Sequence, residues 1–77
     1  MHELIQLIWD FRGPDAKAVA EHHARHLKTY AQTEGLRNTL VHTVEITPMH
    51  HSVLMNTKKQ HLYVLRERLK PDRGIQL

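Results

Sequence analysis

The sequence predicts an α+β fold in which two helices cover one face of an antiparallel β-sheet. Three observations predict it. Apolar runs of strand length recur along the chain, a long helix with clear end signals follows the first run, and a second helical pattern lies near the C-terminus. The length of 77 residues suits one domain, so we treat residues 1–77 as a single domain.

The first predicted element is a strand over residues 3–11. One side of it carries Ile5, Leu7, Trp9 and Phe11. The other side carries Leu4, Gln6, Ile8 and Asp10. Because both sides are largely apolar, we expect an inner strand that is covered on both faces.

The first helix is marked at both ends. Gly13 suits the N-cap, Pro14 suits the first turn and Asp15 complements the positive end of the helix dipole. Gly35 suits the left-handed position after the helix, and Leu36 can pack back on the last turn. The apolar stripe between these ends comprises Ala16, Val19, Ala20, His23, Leu27, Tyr30 and Ala31.

A hairpin is predicted next. Residues 39–47 alternate and are rich in β-branched side chains, Pro48 ends this strand, and a short strand over 51–55 follows. On the first of these strands we expect one side to face the core, and this side carries Leu40, His42, Val44 and Ile46.

Asn56 is the predicted N-cap of a second helix over residues 57–70, which ends at Pro71 and Gly74. Residues 75–77 add a short last strand. The resulting order, β-α-β-β-α(-β), is the split βαβ or ferredoxin-like arrangement. The core face of the second helix carries Leu62, Leu65 and Leu69.

Composition narrows the classes of function. The chain contains no cysteine, so disulfides and thiolate metal sites are excluded, and a cytoplasmic protein is expected. The N-terminus does not resemble a signal peptide, and no stretch has the length of a membrane helix. The net charge is +3, with an excess of basic residues after residue 57, and the eight histidines titrate near neutral pH.

His22 and His26 are spaced i, i+4, so both rings emerge from one side of the first helix. This spacing lets two histidines of one helix bind the same zinc, copper or nickel ion. A third ligand would come from Glu21, His50, His51 or a second subunit. The alternative interpretation is a pair of solvated histidines on the helix flank.

A ligand pocket is predicted near Trp9 and Asp10, where the first strand ends. His23 lies in the apolar stripe, and His42 is assigned to the apolar side of its strand, so we expect the two rings to meet beneath the helix. The alternative is ordinary core packing with satisfied histidines. No nucleophile–base arrangement, phosphate loop or dinucleotide fingerprint is present.

A basic stripe is predicted on the second helix. Lys59, Tyr63, Arg66 and Lys70 recur at helical spacing, a pattern that suits binding of phosphates in a nucleic acid or nucleotide. The aromatic RNA-binding motif of ferredoxin-like modules is absent, so nucleic-acid binding is not favoured. The alternative is a solvated helix face.

The uncovered sheet face carries apolar side chains. We expect Leu4, Ile8, Val41 and Leu54 there, beside Gln6, Asp10, Thr43 and Glu45. Exposed apolar patches on small proteins mark partner surfaces, and short chains without disulfides often gain stability by oligomerising. We therefore predict a homodimer that uses the sheet, either face to face or edge to edge.

The first 36 residues also resemble a known family. A strand, Gly-Pro-Asp-Ala, a helix containing Glu-His-His-Ala-Arg-His-Leu-Lys-Thr-Tyr and a closing Gly-Leu are similar to the opening of YciI-like proteins of the dimeric α+β barrel superfamily. This resemblance implies a ferredoxin-like fold, dimerisation through the sheets and a cleft near the start of the helix. The family's proposed catalytic His–Asp pair has no match in spacing here, so no catalytic residue is carried over.

These observations favour a homodimeric, non-catalytic binding or assembly protein. Three alternatives stay open. They are a metal-binding protein that uses His22 and His26, a small dimeric-barrel enzyme with a pocket near Trp9, Asp10 and His23, and a nucleic-acid-binding protein that uses the second helix.

Overall fold

A computed structural model describes residues 3–77 of the chain. Its element order confirms the α+β, ferredoxin-like fold. The elements are β1 (Leu4–Arg12), α1 (Ala16–Thr33), β2 (Leu40–Thr47), β3 (His50–Lys58), a 3₁₀ turn (Lys59–His61), α2 (Leu62–Leu69) and β4 (Arg73–Gln76). Among residues 3–77, neither helix combines the length and the apolar character needed to cross a bilayer.

The four strands form one antiparallel sheet in the order β2-β3-β1-β4. The two central strands pair along their whole length, from Leu4 opposite Lys58 to Arg12 opposite His50. Because side chains alternate along a strand, this register assigns every residue to one of two faces. One face packs against the helices, and we call the other the open face.

The core lies between the helices and the sheet. Leu7 and Met55 face each other on the central strands with no exposed surface, and Leu27 of α1 and Leu65 of α2 cover them with 1% exposed. The helix α1 turns small side chains toward the sheet, which lets its backbone lie close to the strands. The buried core comprises Ile5, Leu7, Trp9, Ala20, Ala24, Leu27, Val53, Met55 and Leu65.

The two ends of α1 differ in how well the sequence located them. The C-terminus is confirmed: Gly35 has φ of +65°, and the Leu36 N–H donates to the Ala31 carbonyl at 2.9 Å in a Schellman motif. The N-terminal assignment was wrong. Gly13 has φ of +111° and its N–H donates to the Met49 carbonyl at 2.8 Å, so the chain first turns toward the hairpin and Asp15 becomes the N-cap.

The second helix was predicted too early and too long. Asn56 is a strand residue, not an N-cap, because pairing with β1 extends β3 to Lys58. The side chain of Asn56 accepts a hydrogen bond from Gln6 at 2.9 Å instead of capping a helix. The helix α2 therefore has only eight residues, and the last strand begins at Arg73 rather than at Ile75.

The two faces of β2 were assigned the wrong way round. Val41 pairs with Met55 and packs against the core, whereas His42 pairs with Leu54 on the open face. Both sides of this strand carry apolar and polar residues, so its alternation alone gave no preference for either face. By register, Leu40, His42 and Val44 lie on the open face, and Val41, Thr43 and Glu45 face the helix side.

Candidate functional site

The candidate site is a group of polar side chains on the open face, near the end of β1. Asp10 stands opposite Ser52 on β3, and Ile8, two residues earlier, stands opposite Arg73 on β4. His50 lies two residues before Ser52 and therefore on the same face. Three strands thus bring together side chains that are distant in sequence.

Asp10 is the centre of this group. Its Oδ1 accepts hydrogen bonds from Ser52 Oγ at 2.7 Å and from His50 Nε2 at 3.1 Å. Arg73 binds both carboxylate oxygens, with Nε and Nη2 each at 3.1 Å. The backbone N–H of Asp10 donates to the Asp72 carboxylate at 2.7 Å, which holds the start of β4 against β1. We call Asp10, His50, Ser52 and Arg73 the Asp10 cluster.

The Asp10 cluster keeps its carboxylate ionised. The hydrogen bond from Ser52 is the main cause, and those from His50 and Arg73 add to it. Together they outweigh the opposing effect of burial and lower the pKa of Asp10 from 3.8 to about 2. Asp10 is therefore an anion throughout the physiological range, and it cannot act as a proton donor there.

The ionised carboxylate decides the tautomer of His50. Because Asp10 only accepts hydrogen bonds, the proton between them belongs to Nε2, and in neutral His50 the lone pair is on Nδ1. The His50 side chain is 16% exposed, and Arg12 stands opposite it in the register. Among residues 3–77, Arg12 forms no ion pair, so the neighbourhood of His50 carries a cation without a carboxylate partner.

Ser52 is not a nucleophile in this arrangement. In a catalytic triad the histidine stands between the serine and the acid, and its free nitrogen accepts the serine proton. Here Asp10 stands between the two, and Ser52 donates directly to it. The nearest nitrogen of His50 lies 3.5 Å from Ser52 and carries a proton, and Ser52 itself is only 2% exposed.

The residues of the predicted ligand pocket lie on both sides of the sheet. His23 contacts Trp9 on the helix side, with ring centroids 5.3 Å apart, and also Phe11 at 5.4 Å. Asp10 and His42 lie on the open face, so His23 and His42 do not meet. The Trp9 indole donates to the Leu69 carbonyl at 2.9 Å and so satisfies the C-terminal end of α2.

His23 is held as a neutral ring. Burial against the two aromatic rings is the main cause of its lowered pKa, and nearby His26 and His22 add to the effect. Asp72 acts in the opposite direction but is outweighed. The Nε2 atom is buried and has no hydrogen-bond partner within residues 3–77.

The predicted metal ligands are neighbours on α1. The ring centroids of His22 and His26 are 4.5 Å apart, as their spacing implies. Within the described chain, no third His, Asp or Glu completes a metal-binding group with them. A metal site at this pair would need a further ligand from outside the described residues, so metal binding stays a prediction.

The predicted basic stripe is divided among three kinds of structure. Lys59 lies in the 3₁₀ turn, Tyr63 and Arg66 lie on α2, and Lys70 lies beyond the helix in a left-handed conformation with φ of +47°. Lys59 and Arg66 line a common crevice, whereas Tyr63 and Lys70 do not. The four side chains therefore do not form one continuous helical face.

Sequence reasoning missed Ser52 and Arg73, and it considered His50 only as a distant metal ligand. Nothing in their local pattern marks them, because Ser52 stands in an apolar strand and Arg73 stands in a polar tail. The available signal was the register of β3 against β1. A predicted β3 that began at residue 50 would have placed both His50 and Ser52 near Asp10.

Comparisons with protein-family models, with curated proteins and with solved structures gave no match to this chain. The resemblance to YciI-like proteins therefore stays a prediction.

Proposed function

We propose that this chain is a homodimeric, non-catalytic binding or assembly protein of the cytoplasm, in which two copies pack their open faces together. One observation carries the proposal: large aliphatic side chains stay exposed on the face that the helices leave uncovered. Leu40 is 68% exposed, Ile75 46% and Leu4 37%, and Leu54 on the same face is half-buried. Exposed apolar surface of this kind marks a contact with a partner.

The polar groups in the middle of the open face are compatible with burial, whereas Arg12 and Lys58, which form no ion pair among residues 3–77, lie at its ends. Gln6 and Asn56 bind each other near its centre, and Asp10 is neutralised by Arg73. A second copy that covered these groups would leave few of them without a hydrogen-bond partner, and such orphan groups are the main cost of burying polar residues.

The size of the face favours packing face to face. The strands have nine, eight, nine and four residues and lie about 4.8 Å apart, which gives a face of roughly 475 Å² in projection. A stable interface buries about 800 Å² of accessible surface per partner, and accessible area exceeds projected area on a surface of side chains. Most of the open face is therefore needed, and contact between two edge strands alone would bury less.

The test is the solution mass, measured by light scattering for the wild-type chain and for Leu54→Lys. We expect a dimer for the wild type and a monomer for the variant, because two lysines would meet near the centre of the interface. The lysine stem can still cover the neighbouring apolar surface in the monomer. Leu40→Lys is the second variant, since Leu40 is more exposed and its replacement disturbs the fold less.

Tyr63→Lys is the matched control, because Tyr63 is 77% exposed on α2, away from the open face. This variant should remain a dimer. A wild-type monomer at high concentration would refute the proposal. A dimer that survives both Leu54→Lys and Leu40→Lys, with circular dichroism showing a folded protein, would refute the open face as the interface.

A proton-accepting enzyme is the second candidate, favoured by the contact between Asp10 and His50. A carboxylate that holds a histidine by Nε2 leaves Nδ1 as a base, which is the arrangement of many general-base sites. Its first requirement is testable by nitrogen-15 NMR: His50 should be in the Nε2–H form in the wild type and mixed in Asp10→Asn. A wild-type ring with its proton on Nδ1 would exclude this candidate.

A further inference from the structure

We propose that a crevice between α2 and β4 binds a small amphipathic carboxylate, with the carboxylate on Arg66 and the apolar part on the sheet. This site lies mainly on the helix side of the sheet and meets the open face only at its edge, where Arg73 and Ile75 line it. The crevice has a volume of about 330 Å³, within the usual range for small-ligand sites.

The floor of the crevice is apolar. Ile5 and Leu7 of β1 line it with only 4% and 0% of their surface exposed, and the half-buried Leu62 of α2 forms one wall. On the opposite wall, Gly74 presents no side chain. An apolar ligand group in this space would remove its own surface, and the exposed part of Leu62, from water, which is the main source of affinity at such sites.

Among the cations that line the crevice, Arg66 is the one without an ion pair among residues 3–77. Arg73 is bound to Asp10, and the Asp72 carboxylate accepts the Asp10 backbone N–H. Lys59 is paired with Glu3 at 3.3 Å. Arg66 lines the crevice and forms no ion pair among residues 3–77, so it offers a guanidinium whose fork geometry matches a carboxylate.

This geometry favours a monoanion with an apolar part over a nucleic acid. A phosphate backbone needs a run of cations in an open groove, whereas here a single unpaired cation stands above an apolar floor. Tyr63, the only aromatic residue of the predicted basic stripe, does not line the crevice and offers no stacking surface there.

Gly74 provides a variant that fills the site and leaves the charges intact. A Cβ added there would meet only Leu7 Cδ2, at 3.6 Å, which is an ordinary contact. The register places Gly74 opposite Leu7, on the helix side, so a larger side chain at this position enters the crevice. Valine also favours strands, so Gly74→Val should fold, and circular dichroism of the variant checks this.

The experiment is a fluorescence titration with anilinonaphthalene sulfonate, an apolar monoanion, followed by competition with octanoate, octanol and octylamine. We expect saturable binding that octanoate displaces best. Gly74→Val should abolish it, and Arg66→Gln should weaken it about tenfold through loss of the charge-assisted hydrogen bonds. Arg68→Gln is the matched control, because Arg68 is paired with Glu34 outside the crevice, and it should change affinity less than twofold.

Unchanged dye affinity in Gly74→Val would overturn the proposal, as would displacement by octylamine as effective as displacement by octanoate. Dye binding that is lost in Leu54→Lys but kept in Gly74→Val would put the dye on the open face and also overturn it. A monomer that binds the dye in the crevice would refute the dimer alone, so the two proposals fail separately.

Discussion

At the scale of single residues, Asp10 combines more contacts than any other side chain of the site. It joins β1 to β3 through Ser52 and His50, and to β4 through Arg73. The ion pair with Arg73 exists only with an ionised carboxylate, since a protonated carboxyl group has no charge for Arg73 to pair with. The Asp10 side chain is therefore the electrostatic centre of the site, and it also holds the short strand β4 against β1 through Arg73.

Replacing Asp10 by asparagine should destabilise the protein at neutral pH by about 1–2 kcal/mol. The sign follows from the pKa, which is lowered from 3.8 in the unfolded chain to about 2 in the folded one. The stabilisation is complete above the unfolded value, and it is lost as pH falls through about 2. Urea unfolding at about pH 6 and at lower pH should show the gap between wild type and Asp10→Asn closing in this window.

Asp15→Asn is the control for this measurement. Asp15 is exposed and its side chain makes no capping hydrogen bond, so its replacement should change the free energy of unfolding little at either pH. If the difference between wild type and Asp10→Asn stays constant on acidification, the lowered pKa of Asp10 does not contribute to stability.

At the scale of elements, the ends of helices and strands follow two different kinds of constraint. The C-terminus of α1 is a local motif: Gly35 adopts the left-handed conformation, and three consecutive backbone N–H groups find carbonyls in the last turn. The end of β3 is set by tertiary structure instead, because β3 extends to Lys58 only by pairing with β1 along its whole length.

The Schellman motif predicts a difference between two glycines. Gly35→Ala should cost about 1 kcal/mol, because φ of +65° is unfavourable for a residue with a Cβ. Gly74→Ala should be neutral or stabilising, since its φ is not positive and the added methyl group has room. Thermal and urea unfolding of the two variants measure this, and equal effects at the two positions would contradict the explanation.

At the scale of the whole molecule, the fold is a two-layer structure whose sheet is covered on one side only. The chain exposes 5436 Å², whereas a compact monomer of 9.1 kDa exposes about 4,900 Å². Its radius of gyration is 12.2 Å, against about 11.5 Å for a compact chain of this length. An open face without a covering layer would account for this excess of accessible surface. A second copy packed on the open face would supply the covering layer.

The two proposed surfaces stand back to back across the sheet. The open face carries Leu40 and Leu54, and the crevice is built on Leu7 and Gly74, which point the other way. Ligand binding in the crevice is therefore compatible with a dimer, since the second copy would leave the helix side uncovered.

The sequence alone determined the features that depend on local physics. The element order, the helix signals at Gly35 and Leu36 and the apolar side of β1 could all be recognised, because each follows from backbone conformation or from a one-sided apolar pattern. Leu4, Ile8 and Leu54 lie on the open face as predicted, but Ile8 is only 3% exposed and so does not add to an exposed patch.

Only the tertiary structure decided which faces and which distant residues meet. Which side of β2 faces the helices depends on its pairing with β3, and the length of β3 depends on its pairing with β1. Neither property is encoded in the local sequence pattern. The Asp10 cluster has the same origin, since Asp10 and Arg73 are 63 residues apart in the chain. Long-range register brings such side chains together, and a one-residue slip of a strand would send its side chains to the opposite face of the sheet.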